Sequence, residues 1–376
     1  MFVYFFTFLG PVCWAITCLT LVRHLPFSKY VKWGISALLF IASLKATWFR
    51  IFGKSLLIPE LSPSTLYFLS IIHDIVTMSA ICGVFFMLIT PLLRLSNTYK
   101  QNKSLKKILA LVFLVFGFFL GAKGVINGIV LPDEKTITLE FENLPPSFDG
   151  FKILHISDIH ATFFAPAERT KNITDIANRY DADLIAITGD FIDGKVKDHY
   201  KNLEPLKNLK AKYGVVGCTG NHEYYSKYHK WRKAFYDFNI KMLENTGFSI
   251  TKEDESIYIA GINDPISGNS DAALALSNSS TNELKILLAH RPSDAQFHAE
   301  KLGVDLQLSG HTHGGIMPLF DYLVKKANNG YVRGKYNIGK MTLYVNTGAG
   351  QCALIPLRLW FPSEITEIIL KRKTNK

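Results

Sequence analysis

The chain has 376 residues, of which 48% are hydrophobic and 19% are charged. This length allows two or three domains with sizeable cores, and the high apolar and aromatic content excludes an intrinsically disordered protein. Five cysteines in a chain of this length exclude a disulfide-stabilised scaffold.

The positive charge is concentrated in the first third of the chain. The formal net charge is +11, yet residues 1–128 hold 12 Lys and Arg against only Glu60 and Asp74, so the rest of the chain is nearly neutral. Basic residues clustered between apolar segments are typical of membrane proteins. The charge therefore predicts orientation in a membrane and no nucleic-acid partner.

Four apolar stretches precede residue 130, and each can reach the roughly 20 residues needed to cross a bilayer. Four such stretches in succession favour membrane helices over the buried helices of a soluble core. No Lys or Arg precedes Arg23, so the first stretch is predicted to be a retained span and not a signal peptide. We predict a multi-pass membrane region over residues 1–130, with spans at about 2–22, 31–52, 66–93 and 108–130.

The short loops predict the orientation of these spans. The loops after the first and third spans are richer in Lys and Arg than the other side, which makes them cytoplasmic and places everything after the fourth span outside. One span more or fewer would reverse this result. Lys45, His73 and Asp74 lie within spans and are either functional or, as we favour, a snorkelling lysine and an interhelical hydrogen bond.

Residues 131–376 have the pattern of a soluble α/β domain. The composition changes at Leu131–Lys135, and Ile137, Leu139 and Phe141 then alternate with polar residues as in a half-buried strand. Apolar residues at helical spacing near Ile173 and Trp231 predict helices between strands, so we expect a mixed sheet or two packed sheets with outer helices. Further strands are predicted at 151–157, 184–188, 214–219, 257–262, 285–289, 304–309, 341–345 and 365–370.

Five of the predicted strands are followed by residues suited to metal binding or proton transfer. Side chains just beyond the carboxyl ends of strands meet in one crevice of an α/β fold. Two residues separated by one position point the same way on an extended strand, so Asp158 with His160, and His311 with His313, should each present a pair. The five blocks are Asp158-Ile-His160, Gly189-Asp190, Gly220-Asn221-His222-Glu223, His290 and Gly310-His311-Thr-His313.

These residue types predict a metal site of a particular kind. Carboxylate, amide and imidazole ligands suit Mn, Fe or Zn, and the absence of cysteine from the blocks argues against a structural thiolate zinc site. Each block alone is compatible with an ordinary turn. The five blocks in order, each after an apolar run, favour a metal centre.

The ordered blocks resemble the calcineurin-like metallophosphoesterase superfamily, and their flanking residues are similar to its bacterial, membrane-associated phosphodiesterase branch. The resemblance covers about residues 137–370 and leaves the N-terminal spans outside. It implies a four-layer α/β/β/α sandwich that holds two divalent ions, Mn, Fe or Zn. It further implies that Asp158, His160, Asp190 and His313 hold one ion, that Asp190, Asn221, His290 and His311 hold the other, and that His222 is catalytic.

The chemistry implied by this resemblance is coherent. Two closely spaced cations need a bridging carboxylate, which Asp190 would supply, and water shared by both loses a proton near neutral pH and becomes the nucleophile. The ions also neutralise charge on the phosphoryl oxygens. His222 would protonate the leaving oxygen or steady the transition state, because imidazole titrates near neutral pH.

Five other residues lie close to these blocks in the sequence. Three of them have both a functional and a structural interpretation, and two have only a structural one. Glu223 either orients His222 or is an exposed turn residue, and Asp193 is either a partner of a metal-bound histidine or a surface residue. Arg291 either reaches a phosphate oxygen or makes a surface salt bridge. His155 and Cys218 lie in apolar strands and are predicted to be buried core residues.

The sequence thus predicts a membrane-anchored, metal-dependent hydrolase of phosphodiester, phosphomonoester or pyrophosphate bonds, phosphodiesterase-like in character. Attachment to a membrane favours a phosphate-ester substrate in the membrane or envelope, which could be lipid-linked, with membrane lipids as partners. The apolar segment 354–362 could dip toward headgroups, although an internal loop is slightly favoured. The alternative is a non-catalytic, metal-stabilised membrane sensor or scaffold.

Overall fold

The structure is a computed structural model that describes residues 2–54, 60–96, 103–351 and 356–373. The chain divides into two compact units. The helical unit comprises Met1–Ile129 and Pro356–Leu359, and the α/β unit comprises Val130–Ile355 and Trp360–Lys376. The apolar segment at 354–362 is therefore divided between them, and its residues 354 and 355 lie outside the described residues.

The helical unit is built from apolar helices that begin at recognisable caps. Ser28 accepts the backbone N–H of Val31, and Ser62 accepts that of Thr65, so a hydroxyl satisfies an otherwise unpaired donor at each helix start. The α-helices described here are α1 (Phe2–Thr20), α2 (Lys29–Ser43), α3 (Lys45–Phe52), α4 (Pro63–Leu93) and α5 (Lys103–Ile129).

Among the described residues, two helices are long and apolar enough to cross a membrane, namely Pro63–Leu93 and Ser104–Ile129, which match the predicted spans 66–93 and 108–130. The prediction of four spans is only partly confirmed. The predicted span 31–52 is broken into α2 and α3, which meet at a bend of 53° and give a third span only if the pair is counted as one. The predicted span 2–22 forms α1, a 19-residue helix, and its crossing of a membrane stays a prediction.

Small residues bring α4 and α5 together. A Cβ atom on Gly117 would lie 2.5 Å from Cα of Ser79, and one on Gly121 would lie 2.4 Å from the backbone N of Ile75. Glycines four residues apart allow such close backbone contact between membrane helices, where lipid provides little hydrophobic driving force for association. A larger residue at either glycine would force the two helices apart.

Lys45, His73 and Asp74, the polar side chains that the sequence singled out within the spans, are all buried in the helical unit. His73 Nδ1 lies 3.2 Å from the backbone O of Ser43, which is the kind of interhelical hydrogen bond that the sequence predicted. Lys45 begins α3 directly after the bend, is only 7% exposed and places Nζ 5.8 Å from the centre of the Phe49 ring. The prediction that Lys45 snorkels to water is therefore wrong.

The first sheet of the α/β unit has the strand order β1-β12-β2-β3-β4-β5. Its neighbours are parallel except for β12 and β2, so the last described strand lies between the first two. The strands are β1 (Asp133–Phe141), β2 (Lys152–Ile156), β3 (Leu184–Thr188), β4 (Val215–Cys218), β5 (Ile240–Met242) and β12 (Glu364–Arg372).

The second sheet has the order β10-β11-β9-β8-β7-β6, parallel in its centre and antiparallel at both edges. The carboxyl ends of β8 and β9 thus lie side by side, as do those of β2, β3 and β4 in the first sheet. The strands are β6 (Thr246–Lys252), β7 (Glu255–Gly261), β8 (Leu284–Leu288), β9 (Leu306–Ser309), β10 (Gly334–Ile338) and β11 (Met341–Val345).

In the α/β unit, one apolar core lies between the two sheets, and two more lie between each sheet and its outer helices. Ile153 and Leu184 of the first sheet share a buried core with Ile257 and Ile286 of the second. Trp231 lies in a core on the outer side of the first sheet, and a third core covers the second sheet. The helices are α6 (Ala167–Arg179), α7 (Val196–Leu203), α8 (Asn221–Tyr225), α9 (Tyr228–Asp237), α10 (Ala272–Leu276), α11 (Ala295–Leu302) and α12 (Phe320–Ala327).

Every strand predicted from the sequence is present, and three further strands were missed. β5 has only three residues, and β6 and β10 are edge strands with residues exposed on both faces, so none of them has a clear apolar run. Within the α/β unit, the sequence predicted α6 and α9 but missed the shorter helices α7, α8, α10, α11 and α12.

Candidate metal centre

The predicted ligands lie in five loops at the carboxyl ends of β2, β3, β4, β8 and β9. Six of the seven, together with Asp193 and His222, form three groups whose polar atoms lie within 4.8 Å of one another, close enough for each group to hold a metal ion. The groups are Asp158, His160 and His313; Asp190, His290 and His311; and His160, Asp193 and His222.

The first group surrounds Nε2 of His160. This atom lies 3.1 Å from Nε2 of His313 and 3.8 Å from Oδ1 of Asp158, and His313 Nε2 lies 3.5 Å from the same Asp158 oxygen. Asp158 and His160 are fully buried. Two imidazole nitrogens and a carboxylate oxygen that face one another without intervening donors are a suitable ligand set for a divalent ion.

The second group surrounds Nε2 of His290. It lies 3.2 Å from Oδ2 of Asp190 and 3.2 Å from Nδ1 of His311. The other nitrogen of His290 lies 2.7 Å from the backbone O of Thr188, which must accept its N–H. That hydrogen bond fixes the tautomer, so Nε2 is the nitrogen left to bind a metal.

Asp190 connects the two groups through a single oxygen. Its Oδ2 lies 3.6 Å from His160 Nε2 in the first group and 3.2 Å from His290 Nε2 in the second. Its Oδ1 is occupied by the backbone N–H of His222, which donates at 2.9 Å. The carboxylate is therefore held in one orientation, with Oδ2 between the groups.

Asn221 supplies an independent indication that a cation fits here. The residue is buried, and its Oδ1 has no hydrogen-bond partner among the described residues. Its backbone neighbour His222 contacts Asp190, so the amide begins α8 beside the second group. A buried oxygen without a donor is costly, and an ion at this place would satisfy it.

Charge within the second group favours a carboxylate ligand. Burial alone would raise the pKa of Asp190, but His290, His222 and His160 hold its pKa well below the ordinary value. Burial would lower the pKa of His290, but Asp190 beside it raises that pKa to about 10. Asp190 is thus ionised at neutral pH, and His290 must release a proton before Nε2 can bind an ion.

Five of the seven predicted ligands have left-handed backbone conformations, which residues other than glycine seldom adopt. Each such residue costs on the order of 1–3 kcal/mol, and such strain is typical of functional sites. The extended geometry that the sequence suggested for the two paired blocks is therefore wrong, although the paired side chains do meet. The φ angles are 51° for Asp158, 48° for His160, 53° for Asp190, 71° for His311 and 48° for His313.

Backbone contacts hold these strained loops in place. The N–H of Asp158 donates to Gly189 O at 3.1 Å, and the N–H of His160 donates to Asp190 O at 3.0 Å. Gly310 must be glycine, since a Cβ there would lie 2.2 Å from Oδ2 of Asp158. The loops that carry Asp158, Asp190 and Gly310 are therefore held together by backbone hydrogen bonds and close packing.

Sequence reasoning missed one supporting loop, which follows β11. The N–H of Gly350 donates to Asp158 O at 2.8 Å, and the N–H of Ala349 donates to Ser157 O at 2.7 Å. Ser157 in turn donates to Asp158 Oδ2 at 2.5 Å. A Gly-Ala-Gly run two residues beyond an apolar strand was the available signal.

Asp193 joins the first group to His222. One carboxylate oxygen lies 3.1 Å from His160 Nδ1, and the other makes a short contact with His222 Nδ1. Burial would raise the pKa of Asp193, but His222 and His160 together lower it, so both histidines can donate to an ionised carboxylate. The structure favours the histidine-partner interpretation of Asp193, since this side chain is buried.

Glu223 has a role that the sequence did not suggest. It is fully buried and accepts three backbone N–H groups, from Gly220 at 2.6 Å, Asp190 at 2.9 Å and Phe191 at 2.8 Å. Burial, then the charge of Asp190, raises its pKa to about 7. Glu223 therefore fixes the Asp190 loop to the start of α8, and neither of its predicted roles is correct.

Three other side chains were considered from the sequence. Arg291 donates from Nε and Nη2 to the buried Asp264 at 2.8 and 3.1 Å, so it makes a salt bridge while 28% of its side chain stays exposed. His155 is buried, and its Nε2 lies 2.8 Å from Thr188 Oγ1. Cys218 is buried between the sheets. His155 and Cys218 are core residues, as predicted.

His222 lies next to the carboxylates of Asp190 and Asp193 and is also accessible to solvent. Its side chain is 23% exposed, and Nε2 lies 4.0 Å from Oδ2 of Asp190 while Nδ1 contacts Asp193. An imidazole oriented in this way presents one nitrogen to a ligand at the groups. The arrangement can bind cations next to a group that is able to transfer a proton.

Comparison with known families agrees with this geometry. Residues 151–315 match the model of the calcineurin-like phosphoesterases. A metallophosphoesterase of Bacillus subtilis is 34% identical over 242 residues, which cover 62% of this chain and 84% of that protein. The chain belongs to the calcineurin-like metallophosphoesterase family, and the predicted resemblance is confirmed. Membership makes it a metal-dependent hydrolase of phosphoester bonds.

A relative with membrane segments matches most of the chain. The transmembrane protein with metallophosphoesterase domain of Danio rerio is 28% identical over 362 residues, covering 90% of this chain and 80% of that protein. Together with two helices able to cross a bilayer, this similarity supports a membrane protein. A solved archaeal phosphodiesterase covers 58% of this chain at 16% identity with a TM-score of 0.32, which is too low to support a conclusion.

Proposed function

We propose that this protein is a two-metal phosphoesterase anchored in a membrane, with residues 1–130 as the anchor and residues 131–376 as the catalytic domain. The observation that carries the proposal is the position of Asp190 Oδ2, 3.6 Å from His160 Nε2 and 3.2 Å from His290 Nε2. A single carboxylate oxygen between two sets of ligands is the arrangement that two neighbouring cations require.

In this proposal the ligands divide between two ions as the family resemblance implies. Divalent ions, when bound, supply positive charge that stabilises phosphoryl oxygens and makes water a nucleophile near neutral pH. Mn, Fe and Zn all suit these ligands. Asp158, His160, Asp190 and His313 hold one ion, and Asp190, Asn221, His290 and His311 hold the other.

The protein's own groups would orient the substrate and supply a proton. Asp193 accepts Nδ1–H of His222, so Nε2 faces the groups and can donate a proton to the leaving oxygen of a phosphate ester. Arg291 is held by Asp264 through two N–H groups and stays partly exposed beside His290, where its remaining donors can bind a phosphate oxygen. Phosphodiesters, monoesters and pyrophosphates all present such oxygens.

Activity is tested on the full chain in detergent, with bis-p-nitrophenyl phosphate and Mn²⁺. Asp190→Asn and His222→Ala are compared with the parent and with His229→Ala, a control on an exposed histidine of α9 outside the groups. We expect metal-dependent release of p-nitrophenolate that the first two substitutions abolish and the third preserves. Two bound ions per chain without turnover would favour a metal-stabilised sensor or scaffold.

We further propose that the catalytic domain lies outside the cytoplasm and acts on an ester of the membrane or envelope. The support is the excess of Lys and Arg in the loops after the first and third predicted spans. The side depends on the number of spans, and the bend between α2 and α3 makes that number critical. A reporter fused after Lys376 that is active only in the cytoplasm would refute this orientation.

A further inference from the structure

An exposed apolar patch follows the second pair of predicted ligands. It consists of Leu319, Phe320, Tyr322 and Leu323, which are 67%, 36%, 69% and 58% exposed. Single exposed apolar residues are common on protein surfaces, but four large ones within five positions mark an interaction site. The patch begins six residues after His313.

The patch is fixed to the metal centre. Asp321, on the inner side of α12, accepts two N–H groups of Arg333, each at 3.2 Å. Arg333 also donates to the backbone O of Gly314 at 2.9 Å, and Gly314 directly follows His313. A ligand bound at the patch would therefore be held at a set distance from the ion that His313 binds.

The backbone that leads to the patch is strained. Ile316 has φ of 66° and Leu319 has φ of 73°, values that are rare for a β-branched or bulky residue. Strain of this kind persists where the surrounding structure fixes it, and it is concentrated at functional segments. Here it accompanies large apolar side chains that face solvent.

The surroundings of the patch match a lipid surface. Lys325 and Lys326 are exposed, and no ion pair found among the described residues includes either of them. Trp360 is 66% exposed, and the next residue, Phe361, packs against Arg333 with its ring centre 3.7 Å from Cζ. Apolar side chains flanked by lysines and tryptophan are typical of helices that lie in a membrane interface.

We propose that the apolar patch inserts into the surface of the bilayer and receives the hydrocarbon part of a membrane-resident phosphate ester whose phosphate enters the metal centre. The bilayer is the occupant that the chain itself supplies, because the membrane helix α5 ends at Ile129 and the α/β unit begins at Val130. The lysines complement anionic headgroups. This assignment of a substrate class rests on the proposed phosphoesterase function.

Insertion is measured on the full chain in vesicles of phosphatidylcholine and phosphatidylglycerol. An environment-sensitive fluorophore is attached to Leu323→Cys and, as the matched control on the same helix, to Lys325→Cys, and the signal of the labelled parent is subtracted. We expect spin-labelled lipid to quench the probe at 323 at least threefold more than at 325, and aqueous iodide to quench it less. Equal quenching by iodide at both positions would overturn the proposal and indicate a docking site for a protein.

Substrate preference is measured with two esters that share one scissile bond. Water adds across the P–O bond of methyl or hexadecyl p-nitrophenyl phosphate, releasing p-nitrophenolate and leaving the alkyl phosphate. We expect the parent to prefer the hexadecyl ester in vesicles, and Leu319→Ser combined with Leu323→Ser to lower the hexadecyl-to-methyl ratio roughly tenfold. Tyr236→Ser, an exposed aromatic on α9, should keep the parent ratio.

The two experiments separate failure of the patch from failure of the enzyme. An unchanged ratio in the double variant would overturn the proposed role of the patch. A parent that hydrolyses neither ester would refute the phosphodiesterase activity on which the substrate class rests, and the quenching experiment would then still decide whether the patch enters the bilayer.

Discussion

The substitution Asp193→Asn tests the connection between the metal ligands and the proposed proton donor. Asp193 is the common acceptor for Nδ1 of His160 and Nδ1 of His222. Asparagine has nearly the same shape but only one oxygen, and its amide nitrogen must face one of the two histidines as a donor. One imidazole must then change tautomer or turn away.

The size of the effect follows from the two hydrogen bonds. A hydrogen bond to a charged group contributes about 1.5–3 kcal/mol, and a neutral one about half as much. Replacing one charged bond by a neutral bond and losing the other costs about 2–4 kcal/mol in all, or roughly 30–1,000-fold. Loss of a partner of a metal-bound histidine accounts for about 10–100-fold of this in metal affinity. The rest should lower turnover through His222.

Two assays separate these contributions. Titration with Mn²⁺ monitored by calorimetry gives the metal affinity, and release of p-nitrophenolate at saturating metal gives the turnover. Asp175→Asn, on the exposed side of α6, is the matched control and should match the parent in both assays. Thermal unfolding of each variant shows that the fold is retained.

The same substitution in a His222→Ala background completes the test. Without the imidazole at 222, Asp193→Asn should still weaken metal binding, while turnover at saturating metal should stay at the background level of His222→Ala alone, because the two groups act together. If Asp193→Asn alone keeps parental metal affinity and turnover within about threefold, Asp193 does not orient these histidines and the reasoning is refuted.

Three further outcomes are expected. Asn221→Ala should lower metal affinity about tenfold or more without lowering the unfolding free energy of the metal-free protein, because Oδ1 has no hydrogen bond to lose. The control is Asn245→Ala, whose Oδ1 accepts two backbone N–H groups; it should destabilise the fold by about 1–3 kcal/mol without weakening metal binding. Gly310→Ala should disrupt metal binding, because the added Cβ would clash with Asp158, and it should lower the free energy of unfolding by over about 2 kcal/mol. The control Gly303→Ala, at a left-handed position in open space, should lower the free energy of unfolding by about 1 kcal/mol, as measured by thermal unfolding. Folding raises the pKa of His290 to about 10, so the protonated imidazole stabilises the metal-free fold. This contribution is complete at a pH below about 6.5, the pKa of histidine in the unfolded chain, and it is lost as the pH rises through 10. Metal affinity should therefore rise with pH over this range with proton release, and calorimetry in buffers of different ionisation enthalpy that finds no released proton would contradict it.

The sequence predicted the residues of the site better than it predicted their geometry. Asp158 and His160 meet the other ligands although their backbone is left-handed and not extended, because contacts with the Gly189–Asp190 loop determine their conformation. The three donors to Glu223 could not be foreseen either, since they depend on the folded path of two loops.

The fold was predictable where strands are buried and apolar. Leu184–Thr188 and Met341–Val345 have the bounds expected from sequence, because both are buried along their whole length. The edge strand Gly334–Ile338 and the amphipathic helix Phe320–Ala327 were missed, because partner strands and tertiary contacts stabilise such elements more than local pattern does. The bend after Leu44 was also unforeseen, since the apolar composition of 31–52 is continuous.

The position of β12 affects how the protein must be made. Strand β1 follows the membrane helix directly, yet all nine of its residues pair with β12, from Asp133 with Glu364 to Phe141 with Arg372. During synthesis, β1 emerges early and has to wait for a partner that the ribosome delivers more than 200 residues later. An unpaired strand of this length can pair with other chains. Cells making this protein would therefore need to shield that strand, and removal of β12 should leave a membrane-bound chain prone to aggregation.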